Sequence, residues 1–294
     1  MMIEAVAPRI LRPGEDYSLW PNMKWARARQ LTSELFHSVN VQSASSRAGL
    51  DVEISDDKLS ATFLVREAAS MPTHEWSLLF ADVIHNYRAA LDALAWEMAH
   101  LDGKRPRPQD ETRIYFPICT SKTQWEKQAK GPLSSVPSDI LRRLYSVQPF
   151  HAEPVEQGIL VSLHRLDIAD KHKGQVEASV SVRERATTHS SFRLEEGHSN
   201  TVHESRPPEE WLSDGSPLRP GQPVFRINTG SPIAWAESHM PLPLKLTVEL
   251  EGREIEIFSL IDTLEKQFAA VFQVVNSGSF PGQPGLVVDH EPYR

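Results

Sequence analysis

The sequence predicts an α+β fold: a helical bundle with a small antiparallel β-sheet region. Three patterns carry this reading. Apolar residues recur at three- and four-residue spacing in two long stretches before residue 173, the pattern changes to strict alternation beyond Gly174, and an apolar helical stripe returns near the C-terminus. The bundle is expected over residues 1–173, with a β-hairpin inserted at about 50–66. Residues 174–294 are expected to be β-rich, with a final helix at about 259–276 and packed with the bundle as one unit.

In chain order, Pro21 and Asn22 make a helix start, and Trp25, Leu31, Leu35 and Val39 give the first helix its stripe, ending near Ser43. Leu50, Val52 and Ile54 alternate with polar residues, Ser55-Asp56-Asp57-Lys58 can turn, and Leu59, Ala61, Phe63 and Val65 resume the alternation as a hairpin. The longest helix is predicted from Thr73 to Leu101, stopped by Asp102-Gly103. Two shorter helices follow between Ser121 and Tyr145, the second entered through Pro137-Ser138, and another runs from about Pro154 to His172.

The β-rich part begins with Val176, Ala178, Val180 and Val182, with weaker strands around Phe192 and from Val224 to Ile227. Residues 196–222, rich in Pro, Gly, Ser and acids, read as a long exposed loop, and His198 and His203 in it read as loop residues rather than metal ligands. Leu244, Leu246, Val248 and Leu250 run into Glu251-Gly252, with Ile255 and Ile257 beyond, which is a hairpin pattern. Ser259 then caps the last helix, whose stripe of Leu260, Leu264, Phe268, Val271 and Val275 ends near Gly278.

Composition narrows the function classes. A chain of 294 residues buries a sizeable core, and its 40% apolar content includes no run of the roughly eighteen residues a membrane span needs. With no signal-peptide pattern at the N-terminus, a soluble cytoplasmic protein without membrane partners is expected. Cys119 is the single cysteine, so an internal disulfide framework and a multi-cysteine metal site are excluded. The net charge of −8 opposes nonspecific attraction to nucleic acid, leaving local basic groups to do that work: Lys104, Arg105 and Arg107, then Arg142 and Arg143, then the run from His164 to Lys173.

The candidate chemistry lies on two helices. At about 100° per residue, Asp82, His85, Arg88 and Asp92 share one stripe of the long helix, while Trp76, Phe80, Ile84, Tyr87, Leu91, Leu94 and Met98 take the opposite face. Ala81, Ala89, Ala93 and Trp96 fill the gaps between the polar residues, which marks a second packed face carrying a polar site. On the helix from Pro154, the seam of Val155, Ile159, Leu160, Leu163 and Leu166 runs into acids: Asp170 within about 20° of the Leu163 line and Asp167 about 40° to the other side. Lys171 and His172 follow at once.

A buried carboxylate must protonate, pair with a cation or meet a metal. One reading pairs Asp170 with Arg88 to fix the helix register and leaves Lys171 and His172 as partners of the helix dipole. The other gathers His85, Arg88, Asp92, Asp170, Lys171 and His172 in one pocket.

These segments, with Phe116-Pro117-Ile118 and Gln148-Pro149-Phe150, resemble a group of uncharacterised actinobacterial-type proteins. Their pattern is roughly His-Asn-Leu-Arg-Ser-Ala-Leu-Asp, then Phe-Pro-Ile, then a Leu-rich helix ending Asp-Lys-His. Here Tyr87 and Ala89 depart from the first motif, and the likeness covers about residues 20 to 175. The resemblance implies a location and no assigned reaction. A more distant architectural likeness is to HEPN-type helical domains, many of them ribonucleases with an Arg and a His a few residues apart on one helix. After Arg88 the next histidine is His100, so that short spacing is absent.

Three function classes follow. A metal-independent, ribonuclease-like phosphodiesterase would use His85 as general acid or base, oriented by Asp92 or Asp82, with Arg88 and Lys171 stabilising a phosphorane. A non-enzymatic module would hold a small anionic ligand through Arg88 and Lys171, or bind another protein through the sheet region; RNA or a small anionic ligand is the expected partner across these classes, and neither of the two requires a cofactor. A metallohydrolase would use His85, Asp92, Asp170 and His172 as ligands, although the two on the long helix stand about 10 Å apart along its axis. Gly-rich phosphate loops, Gly-x-Ser-x-Gly and His-Glu-x-x-His are absent. Cys119 reads as a small buried residue rather than a nucleophile. Trp20, Trp25, Trp76, Trp96 and Trp125 read chiefly as packing residues, with an aromatic binding surface as the alternative.

Overall fold

The computed structural model describes residues 19–44, 50–66, 71–173, 177–182, 188–195, 202–206, 210–214, 216–217, 219–238 and 244–278. Among them the chain is α+β, with seven α-helices and three small antiparallel sheets. The helices are α1 (Leu19–Ala44), α2 (Thr73–Ala99), α3 (Pro108–Glu111), α4 (Lys122–Lys130), α5 (Ser138–Ser146), α6 (Ile159–Lys173) and α7 (Ile257–Ser277). No described helix is long and apolar enough to cross a membrane. The described residues divide into two units, those within 1–32, 79–176 and 258–294 and those within 33–78 and 177–257.

The first unit is helical and is built around the apolar stripes. Phe80, Ile84, Tyr87, Leu91, Leu94 and Met98 of α2 are all buried, as the helical period requires of one face, and so are Leu260, Leu264, Phe268, Val271 and Val275 of α7. Trp25 of α1 lies 5.4 Å from Phe268 and 5.1 Å from Phe272, and Tyr87 meets Phe268 edge-on at 5.1 Å.

Such aromatic rings bring polar atoms inside with them, and Glu265 satisfies two. Its Oε2 accepts from Trp25 Nε1 at 2.8 Å and from the Tyr87 hydroxyl at 2.7 Å, while Arg29 Nε meets Oε1 at 2.9 Å. Burial first, and then the charge of Glu265, push the Tyr87 hydroxyl far above its ordinary range, so it remains a donor. α1, α2 and α7 are thereby fastened through one carboxylate.

Two helix ends show their cause in the sequence. The Ser121 hydroxyl accepts from Gln124 N–H at 3.3 Å and starts α4. At the end of α7, Gly278 takes φ +74°, its N–H reaches the Val274 carbonyl at 2.8 Å, and Arg143 Nη1 from α5 donates to the carbonyls of Val275 and Asn276 at 2.9 Å each.

The second unit holds the strands: β1 (Leu50–Ile54), β2 (Ser60–Val65), β3 (Ala178–Val182), β4 (Thr188–Leu194), β5 (Val202–Arg206), β6 (Glu210–Trp211), β7 (Pro223–Asn228), β8 (Ile233–Ser238), β9 (Leu244–Leu250) and β10 (Arg253–Glu256). They order as β1-β2-β7-β6, β10-β9-β3 and β5-β4-β8, all antiparallel. The β9–β10 turn places Glu251 at φ +54° and Gly252 at φ +74°, the two positive angles a two-residue type I′ turn needs. Trp76 is buried in this unit and donates to Ser38 Oγ at 2.9 Å.

The predicted hairpin at 50–66 forms, but it joins the sheet unit because β2 pairs with β7, and from Phe258 onward α7 belongs to the helical unit. Within 196–222, expected to be a loop, β5 and β6 form; β4 and β7 supply ladder partners that local composition does not reveal. β8 and the short α3 were not anticipated. α7 begins at Ile257, so Ser259 lies inside its first turn and is not its cap; Ile257 is fully buried, and helix follows strand with no intervening loop. Val176 and His198 lie outside the described residues, as does the side chain of His203.

Replacing Glu265 by Ala leaves the Trp25 and Tyr87 donors without their acceptor, so the unfolding free energy should fall by about 2 kcal/mol or more. Glu265→Gln, which keeps an acceptor oxygen, should lose less in the same denaturation experiment.

Candidate functional site

The polar stripe of α2 is partly a buried one. Arg88 is only 6% exposed, and a guanidinium there needs partners in fixed places. Asp92, one turn along, receives it as a fork: Nη2 to Oδ1 at 2.7 Å and Nε to Oδ2 at 3.2 Å. Arg88 Nη2 also donates to the Phe116 carbonyl at 3.0 Å, and Asp92 Oδ1 takes the Phe116 N–H at 2.9 Å. Burial pushes the Asp92 carboxyl above its usual range, against the pull of Arg88 and of the Phe116 N–H.

The Phe116-Pro117-Ile118 motif is therefore tied to α2 through its backbone. It also meets the second proline motif, since Gln148, itself buried, accepts the Cys119 N–H at 3.0 Å and donates to the Leu144 carbonyl at 2.9 Å. Burial raises the Cys119 thiol to about 11, which suits a packing residue and not a nucleophile.

α6 brings its acid to the same place, and the acid is Asp167. It is 5% exposed, with Oδ1 3.2 Å from His85 Nδ1 and Oδ2 2.7 Å from Lys171 Nζ. Asp170 is partly exposed and, among the described residues, pairs with neither His85 nor Arg88. The expected Arg88–Asp170 pair is thus replaced by Arg88–Asp92 within α2 and by His85–Asp167 between the helices. Angle about the axis placed both acids near the seam; height along it, which sequence does not give, selects the earlier one. Of the six residues expected in one pocket, His85, Arg88, Asp92 and Lys171 converge, Asp170 stands aside, and the side chain of His172 lies outside the described residues. Asp82 is exposed.

Two cavities flank this knot and share Asp92, Tyr115 and Lys171 in their walls. One, of about 600 Å³, is lined along α2 by His85, Ala89, Asp92, Ala93, Trp96 and Glu97, with Trp20, Ile114, Tyr115 and Lys171 around it. The other, of about 470 Å³, is lined by Arg88, His164, Asp167, Lys171, Gln124 and Gln128 together with residues 115–119 and Ile168.

On these walls Arg88 Nη1, His164 Nδ1 and Glu97 Oε2 are buried without a hydrogen-bond partner among the described residues. Burial, then the neighbouring Arg88 charge, lowers the His164 imidazole below its ordinary range and leaves it neutral. Burial alone lifts the Glu97 carboxyl from 4.5 to about 7.

Glu97 was not singled out from sequence, and His164 entered only as the start of a basic run, although a signal exists. His85, Ala89, Ala93 and Glu97 form a four-residue repeat down one line of α2, and His164 lies seven residues before Lys171 on α6. Among the described residues no three His, Cys, Asp or Glu side chains gather as metal ligands, so the four-ligand set expected for a metallohydrolase is not assembled there. What the geometry offers is an exposed imidazole held by a carboxylate that also takes the Lys171 ammonium. No family model matches the chain, and no curated protein or solved structure matches it.

Two outcomes follow. Arg88→Ala strands the buried Asp92 carboxylate and should cost about 3 kcal/mol in chemical denaturation, whereas Asp170→Ala should stay within about 0.5 kcal/mol of wild type. Because folding raises the Glu97 range, the folded chain holds a proton that the unfolded chain releases. Glu97 therefore makes stability fall as pH rises from 4.5 to about 7. Glu97→Gln should flatten that part of the stability profile and leave the variant the more stable above pH 7.

Proposed function

We propose that the helical unit carries a metal-independent, ribonuclease-like site for cleaving phosphodiesters, with His85 as the proton-transfer group. The observation that carries the reading is the His85–Asp167 hydrogen bond at 3.2 Å. A carboxylate on Nδ1 holds the ring proton there, fixes the ring plane and leaves Nε2 as the basic nitrogen, with no hydrogen-bond partner among the described residues. His85 is the exposed member of the pair, its side chain 46% accessible against 6% for Asp167, so substrate can reach it.

Cleavage of RNA then needs little else. Nε2 takes the proton of a ribose 2′-hydroxyl, the oxygen bonds to phosphorus, and the bond to the 5′ oxygen breaks. That oxygen leaves as a hydroxyl by accepting a proton from the Lys171 ammonium or from water. The pentacoordinate phosphorus gathers negative charge. Lys171 beside Asp167, and Arg88 with Nη1 unpartnered in the adjoining wall, are the cations available to it.

A second reading has its own support. Arg88 is committed on two of its nitrogens and unpartnered on the third, beside a neutral His164, which suits a module that holds a small anion without cleaving it. The two readings part on one assay with single-stranded RNA in excess chelator. Wild type should cleave it, and His85→Ala should lose about 10²-fold or more in rate with its unfolding midpoint unchanged. RNA left intact by the wild type overturns the enzyme reading and leaves the binding module.

A further inference from the structure

Three large aromatic side chains converge on the cavity that runs along α2 from His85. Trp20 is 56% exposed, Trp96 43% and Tyr115 55%. Single exposed aromatics are ordinary on a protein surface, but three on the wall of one cavity floored by Ala89 and Ala93 leave a slot bounded by π-faces. One face of Trp96 is taken by the His100 ring at 4.3 Å, and Lys24 Nζ sits 5.3 Å from the Trp20 ring. On the same cavity wall, next to Trp96 in the chain, stands Glu97, with a buried Oε2 that has no hydrogen-bond partner among the described residues.

We infer that this slot receives an unpaired guanine of a single-stranded RNA, stacked on Trp96, Trp20 and Tyr115, with its Watson–Crick edge on the Glu97 carboxylate. The inference rests on the phosphodiester reading of the His85 end of the same cavity and names the base which that reading leaves open.

An ionised carboxylate has two oxygens and only accepts. Guanine offers two N–H donors side by side, at N1 and at the 2-amino group, which match it. Adenine and cytosine offer one amino group beside an acceptor nitrogen, and uracil one N–H between two carbonyls, so each of these sets a lone pair against the second oxygen. Base stacking on aromatic side chains with hydrogen bonds to the Watson–Crick edge is how proteins hold unpaired bases of RNA.

The cavity also has the length for it. Glu97 is twelve residues from His85, about 18 Å along the helix, a span covered by a strand of a few nucleotides. An organic cation also suits aromatic walls and a carboxylate. Lys171 on the wall, Arg88 beyond it and the Lys24 ammonium already over Trp20 oppose a second cation and favour an anionic strand.

The test is a titration of the full chain with guanosine monophosphate, uridine monophosphate and choline, read by tryptophan fluorescence near pH 8. The guanine nucleotide should bind at least about tenfold more tightly than the uridine nucleotide. Glu97→Gln should bring the two together, and Trp96→Ala should weaken both by about tenfold. Equal affinities in the wild type, a preference that survives Glu97→Gln, or choline binding as tightly as the guanine nucleotide would overturn the proposal. Mononucleotides contain no bond for this site to cleave, so the titration is independent of the chelator assay: a preference for guanine without RNA cleavage removes the catalytic reading and keeps the base site, and cleavage without the preference does the reverse.

Discussion

The buried guanidinium of Arg88 is the constraint from which the rest of the site follows. A charge almost wholly removed from water is tolerated only where countercharge and acceptors are already in position. Asp92 can supply the countercharge because it lies one helical turn away, so that pairing is guaranteed once α2 forms. The Phe116 carbonyl is different in kind, because it comes from a loop. By taking Arg88 on its carbonyl and giving its N–H to Asp92, Phe116 registers that loop against the helix, and the loop in turn carries Tyr115 and Cys119 to the cavity walls.

With those bonds made, Arg88 Nε and Nη2 are already taken. The acid on α6 meets His85 and Lys171 instead, and the result separates two tasks that one ion pair would have merged. One carboxylate holds the buried cation, and the other orients an exposed imidazole and a lysine. The second arrangement is the one with chemical reach, because its nitrogen faces accessible space. The site sets acids beside its bases, which fits a chain of net charge −8 and gives it no general positive field.

The orphaned atoms belong to the same economy. Helix packing satisfies polar groups in pairs, as Glu265 does for Trp25 and Tyr87. Among the orphaned atoms of the described residues, Arg88 Nη1, His164 Nδ1 and Glu97 Oε2 belong to residues on a cavity wall. Glu97 and His164 are held toward their neutral forms by burial, a cost that no hydrogen bond from the described residues offsets at these atoms.

Much of this protein was determined by sequence alone. The α+β class, the span of α2, the β9–β10 hairpin and the buried stripe of α7 follow from local periodicity and turn chemistry, because backbone angles and helical faces depend on near neighbours. That His85, Arg88 and Asp92 share one stripe of α2, and that Asp167 lies near the apolar seam of α6, was visible for the same reason. Tertiary structure decided what periodicity does not encode. Asp167 rather than Asp170 faces His85 because the height at which two helices cross is set by side-chain packing along their whole length. β5 and β6 exist because β4 and β7 complete their hydrogen bonds from elsewhere in the chain. Glu97 and His164 became candidates only once their neighbours had removed them from water, and burial of a polar atom is a property of the assembled unit rather than of the residue.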